Sequence, residues 1–179
     1  MIDPVVAVVL RGALALLFVT AALHKLRDLQ AFRVALGDYE LVPWPLTGLV
    51  APALVAAELG VAALLLTPWA QPWGFAAAAL LLALYTAAVG VNLLRGRRAI
   101  DCGCFGPALR LELGGGLVAR NALLIAGALA GLLPSAPRAL TAHDGLPIVA
   151  AIGFLSAAYA AASQLLANAP ALRAPESQP

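Results

Sequence analysis

Charge is scarce in this chain. Of its 179 residues only 11% are charged while 63% are hydrophobic, too little polar surface for a soluble domain of this size to cover itself. Aromatic residues make up only 6%. No lysine- and arginine-rich face interleaves with them, so nothing points to nucleic acid as a partner. Two cysteines in the whole chain exclude a disulfide-stapled scaffold. There is no second cysteine pair to complete a zinc or iron–sulfur site. A P-loop, a dinucleotide fingerprint, an HExxH zinc motif and a haem CxxCH are all absent, and with them the chemistries those motifs serve.

What is present is a series of long apolar runs. About 20 apolar residues span a bilayer as a helix, and every backbone group in hydrocarbon must be hydrogen-bonded internally, so such runs must be helical. The runs cover 4–23, 46–66, 74–94, 117–133 and 146–166. The fold class expected is an all-α integral membrane protein: an antiparallel four-helix transmembrane bundle within 1–135, followed by a loop and a fifth transmembrane helix within 136–167. The first run follows Met1-Ile2-Asp3, which is not basic, and further spans follow it, so it reads as a retained helix rather than a signal peptide. Residues 168–179, rich in Ala, Pro and polar side chains, read as a disordered tail. Between the first two runs, 28–39 carries apolar residues at Leu29, Phe32 and Leu36, the pattern of a short amphipathic helix on the membrane surface. Trp44, between Pro43 and Pro45, reads as an interfacial anchor.

With these spans the first and third loops share one membrane face. They and their flanks hold Lys25, Arg27, Arg33, Arg95, Arg97, Arg98, Arg110 and Arg120; the opposite face has Arg138 and Arg11. The positive-inside rule places the first face in the cytoplasm.

The third loop contains Asp101-Cys102-Gly103-Cys104-Phe105-Gly106-Pro107. Two cysteines separated by one residue close a disulfide only over a tightly folded backbone, and Gly103 supplies that freedom. A small strained ring makes such a disulfide more oxidising and more readily exchanged than a structural one. Arg95, Arg97 and Arg98 favour the reactive thiolate; Asp101 and the apolar surroundings oppose it. Three readings stand at this point: a thiol–disulfide redox pair, half of a metal site with His24 as a third ligand, and an inert pair.

Other polar residues fall within or beside the spans. Glu58 lies about 12 residues into the second run, where a carboxylate must be protonated or partnered. It is either a proton carrier or a hydrogen-bonded packing residue. His24 ends the first span on the cysteine face and could serve as acid–base partner to a thiolate. Lys25 beside it is expected to snorkel to the headgroups. Arg120 is expected to pair with Glu58 or Asp101, to orient a thiolate, or to act as a topogenic charge.

The order of these features resembles the MauE family of methylamine-utilisation membrane proteins, within the wider DoxX-like group. The matching residues are His24-Lys25-Leu26-Arg27-Asp28 closing the first span, Tyr39 with Leu41, Val42 and Pro43 before the second, Glu58 inside the second, and Cys102-Gly103-Cys104-Phe105-Gly106 after the third. The resemblance implies a multi-pass protein of the bacterial inner membrane. It further implies a role in disulfide formation or electron transfer during maturation of a partner protein, alongside a thioredoxin-like protein.

Taken together, the expected function is that of a membrane thiol–disulfide redox protein, an oxidoreductase or its accessory. Cys102, Cys104, Glu58 and His24 form its site. Its partners are the lipid bilayer and a thioredoxin-like or other dithiol protein. No cofactor is readable, and a quinone is compatible as electron acceptor. The competing readings are a non-enzymatic scaffold or metal-handling subunit, and a small transporter centred on Glu58.

Overall fold

The apolar runs form helices for the reason that selects helices in lipid: no water is present to satisfy the backbone. The computed structural model describes residues 1–100, 102 and 113–173, with backbone alone for 169–173. Among the described residues six α-helices follow one another: α1 (Pro4–Arg27), α2 (Leu29–Asp38), α3 (Thr47–Leu66), α4 (Gln71–Leu94), α5 (Gly115–Ala130) and α6 (Gly145–Arg173). Among the described residues the only β-type pairing is an isolated bridge between Ile2 and Ser135. The protein is an all-α membrane bundle.

Among the described residues four helical segments, Pro4–Arg27, Trp44–Leu66, Pro68–Leu94 and Ala142–Asn168, are long and apolar enough to cross a membrane. The fifth, α5, has 16 residues, about 24 Å at 1.5 Å per residue, short of a hydrocarbon core of roughly 30 Å. Gly114 to Gly116 precede and begin it, and Gly131 with Pro134 ends it. Helix α6 continues to Arg173, past the end expected for the fifth span at Leu166. Residues 174–179, the rest of the expected tail, lie outside the described residues.

Helix α1 packs against α3 and α6, and α4 against α3 and α5. The core where they meet includes Phe18, Leu65, Phe75 and Ala128. Large apolar side chains point outward all round: Leu80, Leu123 and Phe154 are each more than 70% exposed. In water that surface would be an aggregation hazard; in lipid it is the proper exterior. Trp69 and Trp73 are exposed at the α3–α4 corner and Trp44 at the opposite end of α3, the position of tryptophans at the two membrane interfaces. Asp28 ends α1 and caps α2, its carboxylate accepting from Ala31 N at 2.8 Å. Helix α2 turns Phe32 into the protein, as the amphipathic pattern predicted.

At the α3–α4 corner the backbones approach so closely that a Cβ on Gly74 would lie 2.8 Å from Leu65 N and 2.9 Å from the Leu64 carbonyl carbon. Backbone cannot swing aside as a side chain can. Gly74→Ala is therefore expected to lower the melting temperature of the purified protein clearly, whereas Gly90→Ala, with nothing within 4 Å, should not. Equal melting temperatures for the two variants would contradict this packing.

Each end of the bundle has its own tie. At the α2 and third-loop end, Arg97 bridges to Glu40 at 2.8 Å, so the first and third loops do share a face. At the other end Arg138 bonds Asp144 at 3.0 Å and Asp3 at 3.3 Å, joining the start of α1 to the α5–α6 loop. The Arg138 bond, with the Thr141 backbone and hydroxyl, holds the Asp144 carboxyl down at about 2. Donation from the Val5 backbone and then from Arg138 lowers Asp3 as well. Both folded values are depressed, so the tie is fully present above the unfolded value of about 4 and is lost as pH falls towards about 2. The melting-temperature gap between the wild type and Arg138→Met should close between about pH 6 and about pH 2.5. A gap independent of pH would contradict it.

Candidate functional site

The interior of the bundle holds an ion pair. Lys25, in the last turn of α1, extends inward, and its Nζ donates to Glu58 Oε1 on α3 at 2.6 Å. Both side chains are buried, 3% and 1% exposed, which corrects the expectation that Lys25 snorkels to the headgroups. A carboxylate inside the neighbouring helix competes with the headgroups for the ammonium and is close enough to hold it. Tyr85 on α4 donates its hydroxyl to the same Glu58 oxygen at 2.9 Å. The rings of Phe32 and Tyr85 lie 5.2 and 5.6 Å from Nζ, within cation–π range. Four helices thus converge on one lysine, and the expected partnering of Glu58 is met by a residue from the other side of the first loop.

Arg120 on α5 is also buried, and among the described residues it does not pair with Glu58. It donates to Ser163 Oγ of α6 at 3.0 Å and to Asn121 Oδ1 at 3.3 Å, and its guanidinium stacks over Tyr159 at 4.9 Å. Asp101, the other expected partner, lies outside the described residues. With Lys25 and Arg120 both inside, the headgroup charges of this face among the described residues are Arg27, Arg33, Arg95, Arg97 and Arg98.

Two cavities flank the ion pair. A small one, about 40 Å³, brings His24, Glu58, Arg120 and Tyr159 around one space, enough to hold water. Glu58 Oε2 is buried, and among the described residues it has no hydrogen-bond partner. A larger one, about 320 Å³, extends on the other side beneath α2, between α3 and α4, and Cys102 forms part of its wall. Lys25, Tyr85 and Asn121 line both. Tyr39 joins Cys102 on the larger cavity.

The structure therefore brings His24 and Glu58 to one small cavity and sets Cys102 on the next, with Lys25 and Tyr85 between them. His24 does not line the cavity that Cys102 lines. Cys104 lies outside the described residues, as does most of the glycine-rich segment around it. Among the described residues no group of three or more His, Cys, Asp and Glu side chains is placed to hold a metal ion. Sequence reasoning did not single out Tyr85, Tyr159 or Ser163. Tyr159 and Ser163 stand four apart on α6, one face of a helix, a spacing that hinted at a shared polar partner. Tyr85 offered only a hydroxyl, next to that of Thr86, in a run of leucines and alanines.

Fold and site together define a multi-pass helical membrane protein whose bundle encloses an ion pair flanked by two cavities, one of them walled in part by a cysteine. The chain belongs to the MauE family: the family model described as methylamine utilisation protein MauE matches residues 3–134, the stretch from the cap of α1 to the proline after α5. It is 45% identical over 145 residues to the methylamine utilization protein MauE of Paracoccus denitrificans, covering 79% of this chain and 77% of that one. It is 39% identical over 157 residues to the MauE protein of Methylorubrum extorquens, covering 87% and 81%. No solved structure matches the chain.

Proposed function

We propose that this protein is a thiol–disulfide redox accessory of the membrane, acting in methylamine utilisation through the Cys102/Cys104 pair. The observation that carries the reading is the placement of Cys102 on a cavity that reaches the buried Lys25 and Tyr85. Cys102 and the Lys25 ammonium line one cavity, and a cation near a thiol is one of the surroundings that favour a reactive thiolate. The family relationship supports the pathway, since the relatives are named for methylamine utilisation. The DoxX-like kinship suggested by the same motifs belongs to this proposal too.

In the proposed cycle one thiolate attacks, or is attacked by, a disulfide of a dithiol partner such as a thioredoxin-like protein, and the second cysteine resolves the mixed disulfide. Glu58 and His24, on the adjoining cavity, handle protons released when thiols are oxidised. In this reading the cysteine-bearing face, which carries most of the basic residues, is the cytoplasmic one, as the positive-inside rule expects.

The test is genetic and direct. A strain lacking this protein should fail to grow on methylamine as sole nitrogen source while growing normally on ammonium. The wild-type gene should restore growth, and the Cys102→Ser/Cys104→Ser double variant, present in the membrane at normal level, should not. Full restoration by the double variant would overturn the redox reading.

A further inference from the structure

The 320 Å³ cavity has a chemistry of its own. Its volume falls among small-molecule sites, which run from about 300 to 1,000 Å³, and its wall, apolar but for a few convergent polar groups, matches theirs. The polar end is formed by Lys25, Tyr85 and Asn121, with Cys102 on the wall. Leu41 and Leu84 line it and are themselves 40% and 56% exposed. Leu84 lies in the middle of the membrane-spanning α4, so the wall of the cavity reaches the surface that lipid covers. Lys25 carries three N–H donors. Glu58 Oε1 accepts one, and among the described residues no second acceptor meets the ammonium.

A ligand suited to this site is neutral, enters from lipid, has a flat body that fits between leucines and aromatic rings, and presents an oxygen acceptor to a buried ammonium. We propose that the cavity binds the headgroup of a membrane quinone, one carbonyl accepting from Lys25 Nζ while the ring lies towards Cys102. The electron count agrees. Two thiols forming one S–S bond release two electrons and two protons, and a quinone takes up two of each to become a hydroquinone, so no further oxidant is needed. That transfer rests on the thiol–disulfide reading proposed above; the binding does not.

Binding is therefore measured in the Cys102→Ser/Cys104→Ser protein, purified in detergent and freed of native quinone, with decylubiquinone as probe. Saturable binding is expected. It should weaken by about tenfold or more when Ala88→Phe fills the cavity. It should weaken likewise in the Lys25→Met/Glu58→Leu protein, which removes both members of the buried ion pair together. Ala13→Phe, placed on a different cavity lined by α1, α5 and α6, should bind as before. No saturable binding, or equal displacement of the probe by 1-decanol, showing a site for any alkyl chain, would overturn the proposal. A separate assay with both cysteines present and reduced follows absorbance of the quinone. Binding without quinone reduction leaves the site in place and rejects the thiol reading instead.

Discussion

Glu58→Leu alone is expected to destabilise the protein by about 3–5 kcal/mol, the usual cost of stripping the partner from a buried charge. The Lys25 ammonium, 3% exposed, would be left among the described residues with the faces of Phe32 and Tyr85 beside it. Lys25→Met alone is expected to be comparably damaging, because Glu58 would retain only the Tyr85 hydroxyl at 2.9 Å. The double variant Lys25→Met/Glu58→Leu should recover most of the loss, since replacing both members of a buried pair by apolar groups of similar size is often neutral or better. The coupling in this double-mutant cycle is the signature sought, read as equilibrium unfolding in detergent or as melting temperature. Additive losses, with the double variant worse than either single one, would mean that Lys25 and Glu58 do not rely on each other.

The second large effect concerns the cysteines. Cys102→Ser and Cys104→Ser are each expected to abolish oxidation or reduction of the partner dithiol while the protein remains in the membrane at its normal level. The two losses should be unequal in kind. The variant lacking the resolving cysteine keeps the attacking thiol and so accumulates a mixed disulfide with the partner. The variant lacking the attacking cysteine accumulates none. A metal-handling or scaffold role predicts no reductant-sensitive species in either variant, and a transporter centred on Glu58 predicts both cysteines to be dispensable.

The elements of the fold were legible because lipid imposes a coarse, strong constraint. Twenty apolar residues in a row carry the same message wherever they occur, and α2 declared itself through Leu29, Phe32 and Leu36 at helical spacing. The pairing of polar groups was not legible. Lys25 and Glu58 are 33 positions apart, and whether they meet depends on how α1 and α3 are rotated about their own axes. An apolar run carries little information about that rotation when it is apolar on every side. Arg120 shows the same limit. Its partner Ser163 is 43 positions away, on a helix that lies outside the stretch matched by the family model. The cysteine motif was the reverse case, conspicuous in sequence because two cysteines flank one glycine, while of those two cysteines the described residues include Cys102, on the wall of the larger cavity.

The measurement that bears most directly on the cysteine pair is its redox state in the membrane. Membranes carrying the wild-type protein are quenched in acid and treated with a maleimide of high mass, with or without prior reduction, and run on a non-reducing gel. The expected result is a protein with no reactive thiol until reduced and two afterwards, together with a higher-mass species in one single cysteine variant that disappears on reduction. Two thiols equally reactive before and after reduction, with no mixed disulfide in either single variant, would show that Cys102 and Cys104 do not form a redox centre.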